Sequence, residues 1–158
     1  MSTISEEILL NVLELADTDV NFRSALDANP WLVYTNMGFN IPQQNQADFN
    51  QLFIQGVAPF FGARFNRAQF KKAPNFKCAA CRVAAYAACV TIIGLGHAAV
   101  AGLSGTSPII MGLAPLLGLF SAGACASLAA FIQGIWTTVA GSVALLVKEV
   151  CKYAGICP

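Results

Sequence analysis

The sequence predicts an all-α protein in two unlike parts: a small helical front, then a compact, disulfide-stapled bundle of apolar helices. Three observations carry this. Apolar residues recur at helical period between cap residues at the front. From Val83 to Val147 there is no Asp, Glu, Lys or Arg. All six cysteines lie beyond residue 77. A soluble domain spends roughly a quarter of its residues on charge, so the uncharged span must avoid water. It can fold into a stapled bundle, enter a membrane as a hairpin, or do each in turn.

The elements follow in order. Thr3 and Glu6 have capping-box spacing ahead of Ile4, Ile8, Leu9, Val12, Leu13 and Leu15, which predicts an amphipathic helix. Asp19 is placed to cap a second helix bearing Val20, Phe22 and Leu26. Asn29-Pro30 reads as a cap with proline at the first helical position, and Gly38 suits the far end. After Ile41-Pro42 and Gln43-Gln44-Asn45-Gln46, a short helix is expected over Ala47–Gln55, stopping near Gly56 and Pro59. Roughly 60 residues is marginal for an independent fold.

The apolar span divides at its punctuation. Val83–Leu103 forms one long unit, Ser104-Gly105-Thr106-Ser107-Pro108 a turn, and Ile109–Phe120 a piece broken by Gly112 and Pro115. Ala124–Val147 forms a second long unit, and Lys148–Cys157 a cysteine-ended terminal helix or turn. Each long unit has the roughly 20 residues needed to cross hydrocarbon. Abundant alanine and glycine would let helices approach closely, in lipid or in a tight bundle. Trp136 falls mid-helix, away from the interfacial ends that tryptophan favours in a spanning helix.

Charge is segregated. Residues 1–63 hold seven acids against one base, Arg23. Residues 64–82 hold six bases, Arg64, Arg67, Lys71, Lys72, Lys77 and Arg82, with no acid. The formal total of +1 conceals this split, which points to parts with different partners or fates. A cationic stretch leading into an apolar mass suits an anionic membrane surface. Nucleic acid is disfavoured, since the cluster is short and no phosphate-binding fold is visible.

Six cysteines admit fifteen pairings. Cys78, Cys81 and Cys89 can share one helical face. Neighbours on one face bond each other poorly, so all six are expected to be oxidised, these three reaching Cys125, Cys151 and Cys157. Zinc is the weaker alternative: one close pair, with His97 as the distant nitrogen donor, falls short of a site, and no metal or other cofactor is expected. A redox role for Cys78-Ala79-Ala80-Cys81 lacks the surrounding βαβ pattern. Gly94-Leu95-Gly96-His97 imitates a dinucleotide fingerprint but follows helix instead of strand, with no acid about twenty residues on. No carboxylate is near in sequence to orient His97, no catalytic set assembles, and the chain is not expected to be an enzyme.

Two resemblances sharpen the picture. Asp19-Val20-Asn21-Phe22-Arg23-Ser24-Ala25-Leu26-Asp27-Ala28-Asn29-Pro30, with Gly38-Phe39-Asn40-Ile41-Pro42, resembles the bacterial nitrile-hydratase-like leader peptides over about forty residues. The resemblance implies export after a small pair is cut by a papain-like peptidase fused to an ABC-type transporter. Gly62-Ala63 fits that pair, and Phe60, Val57, Leu52 and Phe49 occupy the apolar register upstream of it. The chain departs from the pattern in lacking a double glycine and in carrying Pro59. A leader of this kind also leaves room for thioether crosslinks between cysteine and dehydrated serine or threonine. An N-terminus with Glu6 and Glu7 and no long apolar run predicts no general secretory signal.

The second resemblance lies at both ends of the cysteine-bearing part. Cys78-Ala79-Ala80-Cys81-Arg82-Val83-Ala84-Ala85-Tyr86-Ala87-Ala88-Cys89 and Lys148-Glu149-Val150-Cys151-Lys152-Tyr153-Ala154-Gly155-Ile156-Cys157 are similar to the halocin-C-like bacteriocins, the microhalocins. These are secreted, disulfide-rich peptide antibiotics. Together the resemblances imply residues 1–63 as leader, 64–77 as basic linker and 78–158 as antimicrobial core. The expected partners are the peptidase-exporter, a target-cell membrane and an immunity protein, and the mature product is expected outside the cell. The rival expectations are an integral membrane hairpin acting as anchor, holin-like or immunity partner, and an ordinary helical domain over 1–63 that stays attached.

Overall fold

A computed structural model of the chain describes residues 3–61, 64–73, 75–139 and 141–158. Among these the fold is all-α: ten helices, one short 3₁₀ turn and no strand. It divides into two compact units, residues 1–84 and 85–158. The division falls inside a helix, so residues 64–77 pack with the N-terminal helices. The boundary expected at residue 63 would thus be one of processing, not of packing.

In the first unit, α1 (Ile4–Thr18) starts where Thr3 Oγ1 accepts the Glu6 N–H at 3.2 Å. Helix α2 (Val20–Ala28) starts where Asp19 Oδ1 accepts the Asn21 and Phe22 N–H groups. Both caps satisfy N–H groups that a helix start leaves unpaired. Helix α3 (Pro30–Asn36) uses Pro30 at its start, but Asn29 makes no capping bond. Its Oδ1 instead accepts from Asn50 Nδ2 at 3.0 Å, and Asn50 Oδ1 accepts the Trp31 N–H at 2.7 Å. That exchange ties α3 to α4 (Gln46–Phe61).

Helix α4 runs past Gly56 and Pro59, against the expectation of a stop at Gln55. Pro59 has no N–H to give the Gln55 carbonyl, so the helix forgoes one bond there, but only two helical residues follow it. The gain is burial of Val57 and Phe60, which a shorter helix would forfeit. Tyr34, Phe49 and Phe53 are wholly enclosed, with edge-on ring contacts of 5.2 and 5.5 Å from Tyr34. The Tyr34 hydroxyl has no hydrogen-bond partner among the described residues, and burial pushes its pKa up. A second aromatic group joins Phe60, Phe70 and Phe76 at 5.4–6.4 Å. Phe70 belongs to α5 (Arg67–Lys72), capped by Asn66 Oδ1 accepting from Gln69 N–H, and Phe76 opens α6 (Phe76–Leu95).

In the second unit the apolar spans are more broken than their hydropathy alone suggests. Gly96 (φ +87°) stops α6 before α7 (His97–Ala101), a conformation that side-chain-bearing residues rarely adopt. Helix α8 (Pro108–Leu116) accommodates Pro115 in its last turn. Helix α9 (Ala122–Val139) begins where Ser121 Oγ accepts from Ala124 N–H, and Gly141 (φ +84°) turns the chain into α10 (Val143–Tyr153). The segment after α7 is fastened to α9 twice. Gln133 Nε2 donates towards the carbonyls of Val100, Ala101 and Leu103 at 2.8–3.2 Å, at the end of α7 and in the turn that follows it. Gly105 lies so close to α9 that a Cβ there would stand 2.7 Å from the Ala126 nitrogen. Phe131 stacks on Tyr153 at 4.3 Å, joining α9 to α10.

Candidate functional site

The features singled out in the sequence fall into three groups: the junction around residues 61–65, the bases that follow it, and the cysteine-bearing apolar helices.

Gly62 and Ala63, the expected cut, lie outside the described residues. Of the upstream register, Phe49, Val57 and Phe60 are buried and Leu52 is half-buried, so these residues also serve the core of the first unit. Phe61 ends α4 with its ring 6.0 Å from Phe53. The Arg23 guanidinium lies 4.3 Å from the Phe61 ring centroid, and Nη1 donates to the Phe61 carbonyl at 3.5 Å. Asp27, one turn along α2, holds Arg23 Nε at 3.0 Å. Phe65 on the far side packs edge-on against Phe70 at 5.6 Å.

The six bases do not form one uniform face. Arg67 Nη1 donates to Glu7 Oε2 at 2.6 Å, and Lys71 Nζ lies 3.7 Å from Glu7 Oε1. The bond to Glu7 raises the Arg67 pKa further above its ordinary value, so the charge is permanent. Arg64, Lys72 and Lys77 are exposed. Arg82 is half-buried, with its Nε enclosed and unpartnered among the described residues. Glu7 is the residue the sequence reading missed. It lies sixty positions from Arg67, and only the opposed charges of the two segments hinted at an exchange between them.

Four cysteines, Cys78, Cys81, Cys151 and Cys157, are in disulfides. Cys89 and Cys125 are free thiols, which corrects the expectation that all six would be oxidised. Cys89 is sealed within the fold at 0 % exposure, and Cys125 is half-buried in the first turns of α9. A thiol titration should therefore count two groups in denaturant. In the native protein Cys125 should react first, while Cys89 waits for unfolding because reagent cannot reach it. Native labelling of both at one rate, or a count of zero in denaturant, would contradict this assignment.

His97 is exposed at the start of α7. No group of three or more metal-ligating side chains occurs among the described residues. Two helices, α6 and α9, are long and apolar enough to cross a membrane, with 50 % and 28 % of their apolar windows buried within the fold. The larger exposed share belongs to α9, whose open face carries Ala126, Ala130, Gly134 and Thr138. The disulfides fit an oxidising compartment. The chain matches no family model, no curated protein and no solved structure.

Proposed function

We propose that the chain is the precursor of a secreted antimicrobial peptide, a bacteriocin, in which residues 1–63 serve as leader and the remainder acts on target-cell membranes. One observation carries the reading. A span of helices free of acidic and basic residues, flanked by cysteines that form disulfides, directly follows a segment whose only charges are six bases. Bases draw such a molecule to an anionic surface. The apolar helices then exchange contacts within the fold for contacts with lipid. In the uncleaved chain Glu7 occupies Arg67 and Lys71, so Arg64, Lys72 and Lys77 are the bases open to a surface. The span-length helices α6 and α9 support a second reading, an integral membrane hairpin with residues 1–82 outside the lipid.

Dye release from anionic and neutral vesicles tests the proposal. The sample is peptide 64–158, compared with a version whose six bases are glutamine. Each base near the surface contributes about 1 kcal/mol. Replacing Arg64, Lys72 and Lys77 alone should thus weaken binding to anionic vesicles by roughly two orders of magnitude. The native peptide should lose potency as salt rises, because exposed charges are screened. Equal leakage from both peptides would remove the electrostatic step. Absence of leakage, with full-length protein found in membranes, would favour the hairpin.

A further inference from the structure

We infer that the outer face of α10 is a lipid-docking surface of its own, which seats the second unit on an anionic bilayer through Leu145, Lys148, Lys152 and Tyr153. The inference rests on the membrane-acting reading and adds a contact that lies outside the basic segment 64–82. Residues 85–158 contain three Asp, Glu, Lys or Arg side chains, and all three, Lys148, Glu149 and Lys152, lie within two turns of α10. The inner face of that helix buries Val143, Leu146, Val147, Val150 and Cys151, and Cys151 is disulfide-bonded. At 3.6 residues per turn, Leu145, Lys148 and Lys152 fall within about 60° of one another on the opposite side. All three are exposed. Neither lysine has an ion-pair partner among the described residues. Glu149, on the shoulder of this face, is half-buried. Tyr153 is exposed at the end of the helix with its ring stacked on Phe131 of α9. The face thereby continues onto α9, whose exposed Ala130 and Gly134 adjoin Phe131 and whose apolar window is only 28 % buried.

Charge complementarity selects the occupant. Two unpaired cations beside exposed aliphatic and aromatic surface match the boundary between anionic headgroups and acyl chains. The lysine heads reach phosphate while their stems and Leu145 lie along the apolar side. Tyrosine, apolar in body and polar at its tip, favours the same level. An acidic protein would use the two lysines but leave the uncharged, mostly open α9 beside them in water. A bilayer takes both. Docking through α10 therefore presents α9 to the lipid before any helix leaves the fold.

Co-sedimentation of the full, disulfide-intact chain with vesicles tests the face, using phosphatidylglycerol mixed into phosphatidylcholine and phosphatidylcholine alone. At low salt the double variant Lys148→Gln, Lys152→Gln should bind the anionic vesicles about 30-fold more weakly, from the energy each base gains beside such a surface. That loss should fade as salt rises. Glu149→Gln should tighten binding by up to about fivefold, whereas Asp48→Asn, the same change of net charge in the first unit, should do little. Leu145→Gln should weaken binding to both kinds of vesicle, which a purely electrostatic attraction would not produce. Circular dichroism should show the same helicity in every variant. Unchanged binding in the double variant, equal effects of Glu149→Gln and Asp48→Asn, or a Leu145→Gln loss no larger than that of Ile54→Gln would each overturn the inference. A dimer that the double variant dissolves, with vesicle binding unmoved, would assign the face to a second copy and overturn it too. Binding that depends on α10 as expected, beside a peptide 64–158 that releases no dye, would keep the docking face and sink the antimicrobial reading instead.

Discussion

Reduction of the two disulfides is expected to destabilise the protein by about 2–4 kcal/mol for each bridge that closes a long loop. The helices explain why staples matter here. Helix α7 has five residues and α8 nine, well below the roughly 12–15 residues at which an isolated helix becomes even marginal in water. Apolar side chains must hold them in place, yet exposed Met111 and Phe120 show that part of this apolar surface is left uncovered. A bridge that closes a loop around these helices restricts the unfolded chain and so offsets that shortfall. Urea unfolding followed by circular dichroism, with and without reductant, measures the effect once Cys125 and any other accessible thiol is blocked. A midpoint unchanged on full reduction would mean that the bridges contribute nothing to stability. Loss of vesicle leakage in the reduced form would tie the staples to activity as well as to the fold.

Phe53→Ala should cost about 3–5 kcal/mol, the range for deleting a buried aromatic ring. Phe53 is wholly enclosed, with Tyr34, Phe49 and Phe61 within 5.5–6.4 Å. A cavity here would have the rigid ring of Tyr34 on one side, which limits collapse. Stability of this order is a large fraction of what a small domain possesses. Ile54, the next residue, is half exposed and provides the control. Ile54→Ala should stay within about 0.5 kcal/mol of the native protein. Similar losses from both would place the core of α4 elsewhere.

The start signals of the first helices were legible from neighbouring residues alone. Thr3 with Glu6, Asp19 with Phe22, and Pro30 at a helix start all act within one turn, so sequence distance and spatial distance coincide. Caps at Asn66, Ser121 and Ser142 obey the same chemistry but pass unnoticed beside proline, glycine and strong apolar patterning. Helix α4 shows where local rules yield: Pro59 argues for a stop, and burial of Val57 and Phe60 outweighs it. Leu15 fits the apolar period of α1 yet is 47 % exposed, because the period marks a stripe without saying how much of it a neighbour covers.

By itself the sequence determined the all-α class, the separation of charge and the extent of the uncharged span, since each depends on composition or on contacts within a turn. Tertiary structure alone decided which four of six cysteines bond, that Glu7 takes up Arg67 and Lys71, and that Arg23 closes on Phe61. The bond from Arg67 to Glu7 joins residues sixty positions apart, and that from Arg23 to the Phe61 carbonyl joins residues thirty-eight apart. These outcomes depend on where packed helices place short side chains, to within a bond length for sulfur and a few ångströms for charge, and no local pattern carries that distance.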